Sequence, residues 1–375
     1  MSGSVGVGSV GVGVIGAGVI SQQYLENLTR AADVRVLMVA DLDVDRAAAR
    51  AAEYGVPSSG SVAELLARDD IEIVVNLTIP AAHVPVALEA LAAGKHVFTE
   101  KPFALDLESG SELLAASRAS GLRVACAPDT VLGAGIQTGR RLIESGAIGT
   151  PLTALTLFQV SGPETWHPNP DFLYARGGGP LFDMGPYYLS TLVQVMGPAS
   201  RVTARGSRAR DTRVIGSGPR AGETFPVEVP THISALIDFE RGGSAQSTFS
   251  FQASRPRVGV VEIAGTEGTL VLPDPNMFDG ELRLWRDGMF EESEAELIPA
   301  VGSTFSRGAG VVDLARAIRE GRPERTPGDF AFHVLDLMVS IQASAEGDGQ
   351  AVAIESSVDL PPALPEDWDP TAATL

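Results

Sequence analysis

The sequence predicts an α/β protein in two parts. The first is an N-terminal doubly wound parallel sheet of the Rossmann type. The second is an α+β region built on a large, mostly antiparallel, open-faced sheet. Three observations carry this expectation. Up to residue 127, short apolar runs alternate with helical stretches in the rhythm of βαβ units. A glycine-rich turn, Gly16-Ala17-Gly18-Val19-Ile20-Ser21, stands between the first strand and the first helix. After Pro128 the periodicity becomes that of strands separated by turn signals.

Composition bounds the rest. A chain of 375 residues has room for two domains, and 44% hydrophobic against 20% charged residues argues against extended disorder. The formal charge of −19 disfavours nucleic acid or an anionic membrane as the main partner. The single cysteine, Cys126, excludes an internal disulfide and a cysteine metal cluster, and its apolar run reads as a buried structural thiol. No apolar run reaches the about 18 residues of a membrane span. Residues 1 to 9 read as a flexible leader without a basic secretion n-region. A soluble, cytoplasmic protein without a metal site is the expectation.

In order, Val10 to Ile15 reads as a strand, then the G-x-G-x-x-S turn, then a helix to Arg30. Glycines there let the backbone approach a pyrophosphate, and the helix N-terminus offers free N–H groups. The next strand, Val34 to Ala40, delivers Asp41 about 20 residues past the glycines, where such a fingerprint places its ribose-binding acid. Asp41 would accept from both ribose hydroxyls and repel a 2′-phosphate. No arginine comes until Arg46, so NAD is preferred over NADP. Helices follow at Arg46 to Tyr54, closed by Gly55, and at Ser61 to Arg68, where Ser61 and Glu64 make a capping box. The strand Ile71 to Leu77 ends in Thr78-Ile79-Pro80, with His83 opening the next helix; His83 either caps that helix or touches the cofactor. His96 to Thr99 delivers Glu100-Lys101-Pro102. A helix, Asp106 to Ser120, and a strand, Leu122 to Ala127, complete six parallel strands.

Lys101 is one of only two lysines in an arginine-rich chain, which suggests a position that needs a compact, titratable ammonium. It is expected where a cofactor domain meets a substrate domain. The other, Lys95, reads as a surface charge.

The second part opens with a helix, Gly135 to Ser145. Strands are expected at Pro151 to Ser161, Arg201 to Gly206, His232 to Phe239, Ser244 to Gln252, Val258 to Ala264, Thr269 to Leu272 and Glu281 to Arg286. Helices follow at Ala309 to Glu320 and Asp329 to Ala345, where His333 reads as packing. The expected divisions are 1–127, 128–354 and an acidic, proline-rich tail 355–375, docked by Trp368 or loose. Gly177-Gly-Gly179 is costly unless a backbone approaches something closely. Asp183 and Tyr187 then share one helix face at i and i+4. A capping aspartate with packing tyrosines is the alternative. Trp166, His167 and Tyr174 precede the glycines and are candidates for the substrate side. An aromatic plane suits a sugar C–H face and His167 offers a second acid/base, against a proline-pinned loop with a packing tryptophan.

Gly16-Ala17-Gly18, Asp41, Thr78-Ile79-Pro80 with His83, Ala93-Gly-Lys-His-Val97, Glu100-Lys101-Pro102 and Gly177-Gly-Gly…Asp183-Met-Gly185 follow one family's order and spacing. From about residue 10 to 350 the chain resembles the glucose–fructose oxidoreductase / inositol dehydrogenase / rhizopine-catabolism family (Gfo/Idh/MocA). The resemblance implies a Rossmann domain with an open-faced α/β domain, NAD or NADP, sugar or cyclitol substrates, and homodimers or homotetramers packed through the sheets. By position it makes Lys101 and Asp183 catalytic and puts Tyr187 where the family usually has histidine. A free tyrosine, with a pKa of about 10, needs a nearby cation to work at neutral pH, and Lys101 is the candidate. The implied reaction moves a hydride between a secondary alcohol of a sugar, inositol or related polyol and the nicotinamide, with Tyr187 or Lys101 carrying the proton. Two alternatives are a glycosidase using tightly held NAD in transient oxidation and an NAD-binding regulator.

Overall fold

Apolar strands that are buried on both faces need a parallel sheet covered by helices on each side. The computed structural model, which describes residues 8–289, 291–303 and 305–375, has such a sheet at its start. Residues 1–7 of the expected leader lie outside the described residues. The elements run β1 (Val10–Ile15), α1 (Ser21–Leu28), β2 (Val34–Ala40), α2 (Val44–Tyr54), β3 (Ser59–Gly60), α3 (Val62–Leu66), β4 (Ile73–Asn76), α4 (His83–Ala92), β5 (His96–Thr99), α5 (Leu107–Ser120) and β6 (Val124–Cys126). β1 and β4 are buried at every position. Local signals set the helix ends. Asp43 accepts from the Arg46 N–H at the start of α2, and Gly55 closes it in the left-handed conformation. Ser61 and Glu64 form the expected capping box on α3.

The six strands are all parallel, in the order β3-β2-β1-β4-β5-β6. The sixth strand is the two-residue edge β3, too short to carry a periodicity. The order reverses between β1 and β4, and at such a switch point the loops at the carboxyl ends open a crevice.

The chain continues with α6 (Ala134–Glu144), β7 (Pro151–Gln159), α7 (Gly179–Met196), β8 (Ala199–Ser207), β9 (Thr212–Val214), β10 (Thr224–Pro226), β11 (His232–Phe239), β12 (Ser244–Ser250), β13 (Arg257–Gly265), β14 (Gly268–Leu272), β15 (Leu282–Arg286), β16 (Glu296–Ile298), α8 (Ala309–Glu320), α9 (Gly328–Glu346) and β17 (Val352–Ala353). Nine of these strands form one sheet, ordered β16-β15-β14-β13-β7-β12-β11-β8-β17. The sheet is mixed, which corrects the expectation of a mostly antiparallel one. At its centre β7 and β12 run parallel, Thr153 to Gln159 against Ser244 to Ser250. Turn signals predict the hairpin partners, but a pair joined through α7 and four intervening strands has no turn to fix its direction. β9 and β10 form a separate hairpin. Inward residues such as Ile233, Ala235 and Ile237 are buried, while Leu236 between them is exposed. The helix α7 packs on β7, β11 and β12.

Two compact units result. One is the N-terminal segment through Ala134 with Gly302–Phe332 and Asp359–Leu375; the other is Gly135–Val301 with His333–Val358. The sequence reading assigned 302–332 to the second part, and the structure groups it with the first. The reason is local. α8 packs on β5 and β6, Asn27 Nδ2 donates to Arg307 O at 2.9 Å, and Arg123 pairs with Glu324 at 3.0 Å. Lys95 is also corrected. It is buried, and its ammonium donates to Arg68 O at 2.6 Å beyond the end of α3, where a cation suits unsatisfied carbonyls. His333 is buried packing as expected, accepting from Ala199 N at 2.9 Å.

The acidic tail is docked. Asp33 accepts from Thr374 N and Oγ1 and from Leu375 N. Arg316 pairs with Asp33 at 2.7 Å, donates to Asp369 O and Ala372 O, and lies 5.4 Å from the Trp368 ring centroid. The side chains of Arg316 and Asp33 are 4% and 1% exposed, so removing one leaves the other charge buried. Arg316→Ala is expected to cost about 3–5 kcal/mol of stability. Urea unfolding and limited proteolysis check this: an unchanged midpoint with a protected tail would show that the clasp is not the anchor.

Candidate active site

The carboxyl ends of the parallel strands supply one half of the candidate residues. β1 ends in Gly16, whose φ of +103° is open to glycine; a Cβ there would lie 2.6 Å from Leu77 O. Ser21, the third small residue of the turn, is fully buried and donates to Gly18 O at 2.6 Å. A Cβ on Gly18 would meet nothing within 4 Å, so the space above the turn is open. Val19 and Ile79 are 84% and 69% exposed, Leu42 is exposed as well, and Ile20 is half-buried. Exposed apolar side chains around an open glycine turn fit the apolar edges of a dinucleotide site.

Asp41 is buried at the end of β2. Its Oδ2 accepts from Ala17 N at 2.7 Å and its Oδ1 from Asp43 N at 2.9 Å. Arg46 adds two bonds, Nε to Oδ2 at 3.2 Å and Nη2 to Oδ1 at 2.6 Å. Burial alone would raise this carboxyl's pKa, but the hydrogen bonds from Arg46, Ala17 and Asp43 outweigh it and hold the group below the usual range.

Thr78, Ile79 and Pro80 follow β4. Thr78 Oγ1 donates to Asn76 Oδ1 at 2.7 Å, and Asn76 Nδ2 donates to His83 O at 2.9 Å. His83 does not cap α4 with its side chain; its ring lies between two backbone carbonyls. The ring is buried, with Nδ1 2.8 Å from Pro102 O and Nε2 3.1 Å from Thr78 O. Burial lowers its pKa, and a neutral ring carries one N–H, so it donates to one of the two carbonyls at a time. His83 thus ties the loop after β4 to the segment after β5, without a cap hydrogen bond to α4.

Glu100 is buried behind Lys101. It accepts from Tyr24 Oη at 2.9 Å and from Lys101 N at 2.9 Å. Burial, then the Glu100 charge, push the Tyr24 hydroxyl well above its ordinary pKa, so it stays a donor. Lys101 itself is half-buried. Cys126 is buried close by, and burial pushes its thiol up, as for a structural cysteine.

Sequence reasoning missed Tyr24 and Asp129. Tyr24 is the aromatic residue of α1 and is fully buried, as are Leu25 and Leu28; an aromatic in the helix after the glycine turn is the signal that was available. Asp129 follows Pro128 and is fully buried; its Oδ2 accepts from Gly308 N at 2.8 Å and Gly310 N at 3.2 Å, at the start of α8. Its partners are remote in sequence and could not be read from it.

The second unit supplies the other half. Gly177 and Gly179 both have φ of +82°, and a Cβ on Gly178 would lie 2.6 Å from Phe172 O. The close approach that Gly178 serves is therefore to the chain's own preceding loop, while a Cβ on Gly179 would lie 3.1 Å from Pro230 O. α7 is buried along nearly its whole length, except for the half-buried pair Asp183-Met184. Tyr187 is 5% exposed, one turn on from Asp183. Tyr188 is packing: its ring contacts Phe158 and Phe249, and its hydroxyl accepts from Gly259 N at 2.8 Å.

In the loop before the glycines, Trp166 is 66% exposed and His167 half-buried. His167 lies between the Trp166 and Phe172 rings at 5.5 and 5.6 Å, edge-on to each, and its Nδ1 accepts from Asn169 N at 3.0 Å. Tyr174 is corrected. It is fully buried and its hydroxyl donates to Glu164, which also pairs with the buried Arg213 of β9; the Arg213 guanidinium lies 5.4 Å from the Tyr174 ring centroid. Burial, then the bond to Glu164, raise the Tyr174 pKa beyond any working range. Tyr174 closes this loop instead of facing a substrate. Among the described residues, no group of three or more His, Cys, Asp or Glu side chains is arranged to hold a metal.

A six-stranded parallel sheet with an open glycine turn and a buried acid at its carboxyl edge defines a dinucleotide-binding domain, here joined to a mixed-sheet unit. Comparison with known proteins agrees. Residues 10–127 match the model for an oxidoreductase family with an NAD-binding Rossmann fold, and residues 136–271 match the Gfo/Idh/MocA C-terminal domain. The chain belongs to the Gfo/Idh/MocA family of oxidoreductases. It is 28% identical over 311 residues to inositol 2-dehydrogenase 3 of Saccharopolyspora erythraea, covering 77% of this chain and 83% of that one. It is 29% identical over 258 residues to 1,5-anhydro-D-fructose reductase of Ensifer adhaerens, covering 67% and 72%. An NAD-binding oxidoreductase from Klebsiella pneumoniae shares the fold at a TM-score of 0.80 and 24% identity, covering 93% of this chain and 100% of that one. So does levoglucosan dehydrogenase in complex with NADH and L-sorbose, at 0.79 and 22%, with the same coverage.

Asp129 generates a prediction. Burial pushes its carboxyl up to about 6, opposed by the Arg307 charge and the two α8 N–H bonds. An unfolded aspartate titrates near about 4. Between those values the folded state holds a proton that the unfolded chain has released, so stability falls as pH rises through the window and levels off above it. Over that window the loss is about 3 kcal/mol. Asp129→Asn is expected to flatten this dependence; unfolding midpoints of both proteins from pH 4 to 7 check it, and parallel curves would refute the assignment.

Proposed function

We propose that this protein is a dehydrogenase or ketoreductase that moves a hydride between a secondary alcohol of a sugar, inositol or related polyol and a nicotinamide cofactor. The observation that carries this reading is the open glycine turn beside a buried Asp41, in a chain that also holds Lys101 on a doubly tied backbone. The relatives named for inositol and 1,5-anhydro-D-fructose support the substrate class.

The residues fit the cofactor. Gly16, Ala17, Gly18, Val19 and Ile20 would line the pyrophosphate side, and Thr78, Ile79, Pro80 and Glu100 the nicotinamide side. His83 would hold the two strand-end loops together. Asp41 would accept from the adenosine ribose hydroxyls, which favours NAD over NADP. A bound nicotinamide supplies the hydride acceptor, or the donor in the reverse direction.

The chain's own groups handle the proton. As the alcohol carbon loses hydride and becomes a carbonyl, the hydroxyl proton passes to Tyr187 or Lys101. Asp183 orients the hydroxyl. Trp166 offers an aromatic plane to a sugar C–H face, and His167 a hydrogen-bonding edge. In this reading the protein works in the cytoplasm as a homodimer or homotetramer through the open sheet face, where Leu236 is exposed between the inward-facing residues of β11.

The test is NADH formation with a panel of monosaccharides, inositols and anhydrosugars. Lys101→Met and Tyr187→Phe are each expected to lower kcat by about 10²-fold or more while NADH still binds. Full turnover by Lys101→Met would overturn the assignment. Turnover of a glycoside without released NADH would shift the reading to a transient-oxidation glycosidase.

A further inference from the structure

The Asp41 carboxylate already has four donors. Two are backbone N–H groups, from Ala17 and Asp43, and they come from the turns that shape the site itself. The other two belong to one guanidinium, because Arg46 lies bidentate across both oxygens, at 2.6 and 3.2 Å. The carboxylate's side chain is 5% exposed, whereas that of Arg46 is 53% exposed. The acid is fixed in place, and the arginine is the partner free to move.

This arrangement conflicts with the simplest account of cofactor choice, in which a lone carboxylate receives two ribose hydroxyls. A carboxylate has about four lone-pair sites, and here all four are taken. A ribose can reach Asp41 only by displacing Arg46 donors. The displaced guanidinium stays on the first turn of α2, attached only five residues from the acid, with its charge exposed at the same edge. A guanidinium is the side chain best matched to a phosphate, through paired charge-assisted hydrogen bonds.

We infer that Arg46 occupies the adenosine-ribose seat, competing with the ribose of NAD for Asp41 and serving as counter-ion to the 2′-phosphate of NADP. The inference rests on the proposed dinucleotide site. It makes cofactor preference the property of a pair, Asp41 and Arg46, in place of the acid alone. Two effects then follow from one side chain. Arg46 weakens NADH, because an ion pair must be broken, and it admits NADPH, because it offsets the repulsion between Asp41 and the phosphate. The preference for NAD is correspondingly narrow in the natural chain and widens when Arg46 is removed.

The experiment is calorimetric titration of the full-length protein with NADH and with NADPH, in the absence of any sugar. Arg46→Ala is expected to tighten NADH by about 2- to 5-fold, the usual range for releasing an exposed ion pair. It is expected to weaken NADPH by about 10-fold or more, the loss of a charge-assisted contact to phosphate. Asp41→Ser, which frees the guanidinium, should tighten NADPH and weaken NADH. Thermal unfolding of each variant checks that the fold is intact; the exposure of Arg46 makes this the expected result for Arg46→Ala. Weaker NADH binding in Arg46→Ala would show that the arginine supports the cofactor, and unchanged NADPH binding would show that it does not reach the phosphate; either overturns the inference. If the unaltered protein binds neither NADH nor NADPH, the dinucleotide site itself is wrong and the inference falls with it.

Discussion

The carboxyl edge of the parallel sheet carries the main constraint on this structure. Four of the six strands that end there are mostly apolar and buried, and each leads into a polar residue that is also buried: Asp41 after β2, Asn76 at the end of β4, Glu100 after β5 and Asp129 beyond β6. Burying such groups without partners is costly, more so for charges. The chain meets this by turning its loops back onto them. Ala17 and Asp43 bond Asp41, Thr78 bonds Asn76, Lys101 and Tyr24 bond Glu100, and Gly308 and Gly310 bond Asp129. The loops are therefore fixed by the acids and amide they surround. This explains why 302–332 belongs with the first unit: without the start of α8, Asp129 would lose both of its backbone donors.

The second unit uses the same solution, here with a buried ion pair. Glu164 and Arg213 are both buried, and the arginine also donates to Ser161 O at 3.0 Å and Phe251 O at 2.8 Å. The β9–β10 hairpin is thereby tied to the loop that carries Trp166 and His167. A second pair, Arg220 with Asp171, and the bond from Ser217 Oγ to Trp166 O hold the outer side. A loop braced at both levels keeps an exposed tryptophan in a defined place, which exposure alone would not do.

How much of this was legible follows from the range of each interaction. Gly16-Ala17-Gly18, Asp41, Glu100-Lys101-Pro102 and the Asp183/Tyr187 pair could be nominated as candidates because each is a local pattern at fixed spacing. So could the caps at Ser61 and Gly55. Tyr174 was misread because a tyrosine near a glycine run looks the same whether it faces solvent or a buried glutamate ten residues away. Lys95 was misread because its partner, Arg68 O, is a backbone group that a sequence does not advertise. The parallel pairing of β7 with β12, the docking of α8 and the clasp of Arg316 on Asp33 all join distant segments. Arg46 is the instructive case. It was noticed, but only for its distance from Asp41 along the chain, whereas one turn of helix brings the two into contact.

The backbone around Lys101 shows what the buried acids accomplish. Its N–H is held by Glu100, which Tyr24 holds in turn, and the next carbonyl, Pro102 O, is held by the buried His83. Both sides of the residue are thus fixed by groups of the first unit. On α7 the same result is reached differently, by burying almost every position except the turn that bears Asp183. Each unit sets the geometry of its own candidate residues with its own interactions. A chain organised in this way can vary the loop around Trp166 while the backbone that presents Lys101 and the helix that presents Asp183 stay as they are.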